Sequence, residues 1–352
     1  PSTAIKNVEV LRDGASSLYG SDAIAGVINF ILKDDNEGFT LNAATGEYYE
    51  GDGSDYTISA NVGLPLGENG FLSVSAEINE ADFSQRADPY CNNWFCGDVN
   101  GEDWGNFSGG RPLHAAFVQG SSAGLTAANY GNVPAAWVEP FIQGYPDGTL
   151  NPHNASVEGD VVMPWGQPNT ESFRMFANAG IEMDNGVELY GWSNMSNSKG
   201  DGSFFYRYPF NGTIEPLREK NGSVYFPLSK FPGGFTPRFE GEVEDFGIAG
   251  GMRGGSDDFT WDVSGRYGSN AIDYRLFNTI NPSMGSASPT DFRPGKLENE
   301  ELQFQVDLTN AFDVGTASDL ILAYGVSFMD ETYNVHQSTD VASYIDGPHA
   351  VS

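Results

Sequence analysis

The chain has 352 residues, enough for one large domain or two. Lys and Arg number 17 against 48 Asp and Glu, a formal charge of −31, which excludes nucleic acid, whose phosphates need a basic face. No apolar run reaches the roughly 18 residues of a membrane helix, but strands that cross a membrane alternate and leave only a weak hydropathy signal.

The first elements lie between Ile5 and Lys33. Val8-Glu9-Val10-Leu11 has the β-branched content of a short strand. Asp13 can cap a helical turn over Ala15–Tyr19, with Gly20 placed to end it. A second tight turn closes at Gly26, and Val27–Leu32 suits a buried strand. These pieces hold no nucleophile–base pair and no metal-ligand spacing, so neither catalysis nor a cofactor is expected. Asp34–Gly38 is a polar hinge.

From Phe39 onward apolar and polar residues alternate with period two. Tyr56, Ile58, Ala60 and Val62 do so, then Leu72–Ile78, Phe173–Ile181, Phe259–Val263, Leu302–Leu308 and Leu320–Phe328. Each such strand has one apolar and one wet face. Val187–Met195 is less regular, with Tyr190 and Trp192 on the wrong parity. Short connections (65–70, Asp184-Asn185-Gly186, Ser256-Asp257-Asp258, 313–318) take turns with long ones (84–170, 200–242, 275–297). Outer-membrane barrels have this asymmetry, with short periplasmic turns and long extracellular loops. About nine strands are predicted, each near the length that crosses a bilayer at a tilt.

The stretch VEVLRDGASSLYGSDAIAGVINFILK resembles the end of the plug domain of TonB-dependent outer-membrane receptors. There a Val-Glu-Val-(Leu/Met)-Arg-Gly segment leads to a Ser-rich Leu-Tyr-Gly turn and a Gly-Gly-(Val/Leu)-Ile-Asn strand, and the barrel begins. Asp13-Gly14 stands where the family usually has Gly-Pro, and Ala25-Gly26 where it has Gly-Gly. The resemblance implies an all-β fold: part of an antiparallel transmembrane β-barrel, preceded by the C-terminal piece of an α+β plug. Residues 1–34 would be the plug end and 35–352 the first part of a barrel of about 22 strands. The chain is expected to be a fragment without the front of the plug, its energy-coupling box or the later strands.

The resemblance further implies a protein of the Gram-negative outer membrane that is not an enzyme. Its partners would be outer-membrane lipid, a TonB-ExbB-ExbD type energy complex and a small-molecule or oligosaccharide ligand. Glu9 and Arg12 would latch plug to barrel wall, and Gly14, Gly20 and Gly26 would shape the plug turns. Against this stands a soluble or surface-attached β-sheet protein, a glycan-binding module or a glycoside hydrolase, which would need two carboxylates at fixed separation.

The longest loop carries the remaining signals. Cys91 and Cys96 suit a local disulfide in an oxidising compartment, with free thiols or a pair of metal ligands as alternatives. The acidic runs 50–55 and 98–103 resemble calcium loops but lack the sixth-position Gly and distant Glu. Trp94, Trp104, Trp137, Trp165, Tyr130 and Tyr145 are candidate ligand contacts, since aromatic faces stack on sugar rings. Between residues 84 and 170 two basic residues, Arg86 and Arg111, face eight acidic ones. That balance disfavours a strongly anionic ferric chelate and favours a neutral organic nutrient, a glycan first, with an iron-siderophore complex or a peptide as the alternatives.

Overall fold

The computed structural model describes residues 1–12, 25–86, 166–207, 217–222, 235–315 and 318–348. After a 3-10 turn at Ser2–Ala4, β1 (Ile5–Leu11) pairs antiparallel with β2 (Val27–Leu32). The expected helical turn over residues 15–19 lies outside the described residues. Nine strands then form one sheet with neighbours in chain order: β3 (Phe39–Gly46), β4 (Asp55–Pro65), β5 (Gly70–Ala81), β6 (Asn169–Glu182) and β7 (Glu188–Ser203), followed by β8 (Arg238–Gly255), β9 (Phe259–Phe277), β10 (Asp291–Phe312) and β11 (Leu320–Gln337). Every pairing is antiparallel. The all-β meander of about nine strands read from the alternation is the observed one.

The short turns close as their residues require. Gly186 takes φ +78 in the turn after Asp184-Asn185. Gly255 takes φ +152 before the β8–β9 turn, and a Cβ there would stand 2.1 Å from the Phe259 carbonyl oxygen. Left-handed backbone without Cβ strain is glycine's use in such turns.

Polarity across the sheet is the reverse of a soluble core. On β4 and β5 the buried positions other than glycine are Ser59, Asn61, Ser73, Ser75 and Glu77, with Ser75 only 1% exposed. Their apolar neighbours Ile58, Leu64 and Ile78 are exposed at 42%, 44% and 42%. A sheet in water would do the opposite, because apolar burial is the main favourable term in folding. An apolar outward face is stable where the surrounding medium is lipid.

Hydrogen-bond register carries this face from strand to strand. Val74 pairs Ala177, Met195 pairs Phe246, Ile248 pairs Tyr267, Val263 pairs Val306, and Phe304 pairs Phe328. The apolar stretch covers Leu72–Ile78 on β5, Phe246–Met252 on β8 and Leu320–Phe328 on β11. Along this series the belt slips toward the short-turn end by about one residue per strand, the slant of tilted barrel strands. β3 and β11 form the edges of the sheet among the described residues.

Several strands run longer than the alternation predicts, up to 22 residues in β10. Beyond the belt the outward positions turn charged: Glu240, Glu242 and Glu244 on β8, Asp273 and Arg275 on β9, Glu298 and Glu300 on β10. Alternation in hydropathy stops there while backbone pairing continues. Two of the long connections therefore shorten, to residues 204–237 and 278–290, while the first runs over residues 82–168.

Candidate functional site on the inner wall

The inner face is covered by residues flanking the β1–β2 pair. Ser2 backbone N and Oγ each donate to Glu77 Oε2 at 3.3 Å, and Arg174 Nη1 donates to Glu77 Oε1 at 3.0 Å. Thr3 Oγ1 reaches the Ala60 carbonyl at 3.5 Å. Asn178 Nδ2 donates to the Lys33 carbonyl at 2.9 Å, and Gly63 N to the Gly38 carbonyl at 3.0 Å. Beneath them Asn61 Nδ2 donates to Ser73 Oγ and Ser75 Oγ, both at 2.9 Å.

Glu77 is the chemical centre of this contact. Its side chain is 10% exposed, and one carboxylate takes donors from the wall and from the covering segment. A buried carboxylate is tolerable when paired and hydrogen-bonded, and its loss strands its partners. Nearby, Lys6 Nζ donates to Asp34 at 2.6 Å, which raises the lysine pKa and ties β1 to the hinge after β2.

The latch residues named from the sequence take other places. Glu9 lies exposed on β1 and accepts from Asn29 Nδ2 at 3.3 Å. Arg12 follows β1 and is exposed; among the described residues no carboxylate forms an ion pair with it. Gly26 sits at φ +149, where a Cβ would stand 2.4 Å from the Leu11 carbonyl oxygen, so only glycine lets β2 begin there. Gly14, Gly20, Cys91, Cys96, Trp94, Trp104, Tyr130, Trp137, Tyr145 and Trp165 lie outside the described residues. The contacts at Glu77, Arg174 and Asn178 were missed because each is a polar residue in a polar-facing register slot, unremarkable until its cover is known.

At the long-loop end, the β3–β4 connection clasps both ends of the β5–β6 connection. Asp52 accepts two bonds from Arg86 Nη1, at 2.9 and 2.7 Å, and one from Gln85 N at 2.6 Å. The guanidinium hydrogen bond is the main cause that lowers the Asp52 pKa. Arg86 lies 4.8 Å over the Tyr48 ring, and Tyr48 Oη bonds Gln167 at 3.2 Å. Ser84 N donates to the Gln167 carbonyl at 3.0 Å, and Gln167 N to Ser84 Oγ at 2.9 Å. In the acidic run 50–55, Asp52 is therefore engaged by a side-chain cation of the chain itself.

Tyr190 and Trp192, irregular in the sequence, project to the inner face. Tyr190 Oη donates to Asp262 at 2.6 Å, and Trp192 stacks with Phe176 at 6.0 Å between centroids. Each ring leans over a glycine of β8: a Cβ on Gly251 would stand 2.6 Å from Tyr190 Oη, and one on Gly247 3.4 Å from Trp192. Their parity is correct for a polar wall that also holds flat aromatic rings.

No protein-family model matches the chain. A vitamin B12 transporter of Photobacterium profundum is 36% identical over 93 residues, 26% of this chain and 14% of that protein. One of Vibrio cholerae is 37% identical over 79 residues, 21% and 12% of the respective lengths. The chain thus matches a small part of the length of these curated relatives. Among solved structures, a ferric enterobactin receptor of Pseudomonas aeruginosa gives a TM-score of 0.49 at 14% identity, covering 95% of this chain and 36% of that one. The ferric preacinetobactin receptor of Acinetobacter baumannii gives 0.42 at 11%, covering 92% and 50%. Structural likeness at that level adds no weight; the sequence match does, and it agrees with the outward apolar belt and the motif from Val8 to Leu32. Over those stretches the chain is similar to vitamin B12 transporters, and the likeness agrees with its resemblance to the plug end of TonB-dependent outer-membrane receptors.

Proposed function

We propose that this chain supplies the plug end, residues 1–34, and the first barrel strands, from residue 35 onward, of a receptor that takes up an organic nutrient by energy coupling. The observation that carries the reading is the polar inner wall closed by residues 1–4 and 33–38 at Glu77, Ala60 and Asn178. In this reading the covering segment is the movable part, and an inner-membrane complex of the TonB-ExbB-ExbD type displaces it. Hydrogen bonds of this kind are individually modest, about 0.5–1.5 kcal/mol net, so a pulling force can break them in sequence. A glycan-binding module or hydrolase in water gains nothing from an outward apolar belt, which exposes large side chains on every strand.

The nutrient we favour is neutral, an oligosaccharide first. Eight acidic against two basic residues in the stretch 84–170 repel an anionic chelate. A corrinoid is the second reading, favoured by the transporters matched in sequence, which are named for vitamin B12. The test is titration of the purified full receptor with maltotriose, cellotriose, cyanocobalamin and ferric enterobactin. Micromolar binding of a neutral compound is expected, with uptake that stops when the inner-membrane proton gradient collapses. Binding of ferric enterobactin alone would overturn the neutral class and leave the receptor assignment standing.

A further inference from the structure

A cavity of about 520 Å³ lies at the long-loop end of β9 and β10, between the β9–β10 connection and the segment after β11. That volume falls within the roughly 300–1,000 Å³ of small-molecule sites. Building on the uptake reading above, we infer that this cavity is a subsite for a neutral saccharide segment of the transported molecule.

The two segments are knit together and hold the cavity open in advance. Asn281 Nδ2 donates to the carbonyls of Ala342 at 2.9 Å and Ile345 at 3.2 Å. Gly347 N donates to Ser283 Oγ at 2.9 Å, and a Cβ on Gly347 would stand 2.0 Å from the Ser283 carbonyl oxygen. Asp340 accepts from Arg293 N at 2.8 Å and from Ala342 N at 3.2 Å, bonds that lower its pKa, the Arg293 amide first. A framework set before binding spares the ordering cost that weakens loop sites.

The lining defines the ligand chemistry. Phe292, 6% exposed, and Leu276 pair across β10 and β9, and both border the cavity. Tyr344 is 48% exposed and joins Ile280 and Ala342 in an apolar wall broken by Asp346 and Thr279. Among the described residues the lining contains no Lys, Arg or His. A hydrocarbon would strip water from Asp346 and the hydroxyls without replacing it, which is costly. An anion would meet the Asp346 carboxylate in a lining that offers it no cation among the described residues. A sugar satisfies both demands: its C–H face stacks on an aromatic ring, and its hydroxyls donate to a carboxylate.

The experiment is microcalorimetry on the full receptor in detergent with maltotriose, cellotriose and xylotriose, repeated on Ala342→Trp and Asp346→Asn. At least one trisaccharide should bind, Ala342→Trp should weaken it by about tenfold or more, and Asp346→Asn by about threefold to tenfold. Heat-modifiable gel mobility checks that each variant is folded; the isosteric Asp346→Asn keeps the test decisive if the bulky one is not. A trisaccharide bound equally by wild type and both variants overturns the subsite and leaves the neutral-nutrient reading intact. No response to any trisaccharide overturns the saccharide subsite, whatever else the receptor binds; ferric enterobactin binding in that case overturns the neutral class as well.

Discussion

The wall at β4–β5 and the wall at β10–β11 carry the same alternation, yet their inner faces differ. At β4–β5, Ser59, Asn61, Ser73 and Ser75 are all at most 4% exposed, because residues 1–4 and 33–38 lie on them. At β10–β11 the inner positions Gln303 and Gln305 are half-buried, and Ser327 and Met329 are exposed. There the polar groups bond one another along the strand, Gln303 to Gln305 at 3.3 Å and Gln305 to Asp307 at 2.7 Å. The outward face is apolar in both places. Alternation therefore decides which face meets lipid, while the covering segment decides whether the polar face becomes a core.

The strongest way to break this comparison is to charge the face the two regions share. Phe304, 55% exposed and outward, should tolerate arginine badly. In the full receptor Phe304→Arg is expected to cost about 2–4 kcal/mol near mid-bilayer. Gln303→Arg and Gln305→Arg should cost far less, as read by equilibrium unfolding in lipid. If the glutamine variants were the damaging ones, the register of β10 would be inverted by one residue.

Removing the covered carboxylate tests the region that differs. Glu77→Ala leaves Arg174 and Ser2 without their partner and should cost about 1–3 kcal/mol. Hydrogen exchange at β1 and β2 should speed up, whereas Gln303→Ala on the open wall should leave it unchanged. If Arg12→Ala loosens β1–β2 and Glu77→Ala does not, the latch runs through the plug arginine instead.

A smaller effect is expected where an aromatic ring leans over a glycine. Gly251→Ala places a Cβ 2.6 Å from Tyr190 Oη and 2.8 Å from the Val263 carbonyl oxygen. Displacing the ring from Asp262 should cost about 1–2 kcal/mol. The check is the unfolding midpoint of Gly251→Ala beside that of Gly222→Ala. Gly222 has open space around it, though its φ of +84 adds some backbone strain of its own.

The last prediction is a pH dependence at the clasp. The folded-state pKa of Asp52 is depressed, chiefly by the Arg86 hydrogen bond. Its stabilising contribution is present above the ordinary carboxylate value of 3.8 and is lost as pH falls through the lower folded value. Amide exchange at Gln85, referenced to that of a clasp-free amide, should rise only at such acid pH in wild type and already be raised at neutral pH in Asp52→Asn. Equal protection of Gln85 in the two proteins at neutral pH would show that Tyr48 and Gln167 hold the clasp without Asp52.

By itself the sequence determined the strand count, the antiparallel hairpin order and the outward face, because period-two polarity and turn chemistry are local properties. It was silent where the relevant neighbour is distant. Glu77 looks like any polar-face residue until Ser2, 75 positions away, and Arg174, 97 positions away, close on it. Tyr190 looked misplaced because parity alone treats every aromatic as lipid-facing, and only the register with β8 and β9 supplies Gly251 beneath it and Asp262 beside it. The strand ends beyond the belt escaped notice because pairing there is held by backbone bonds and cross-strand charges such as Lys199–Glu240 at 3.2 Å, which leave no hydropathy signal. What only the tertiary structure decided was cover: which polar residues are buried follows from where another part of the chain lies, and no local pattern encodes that.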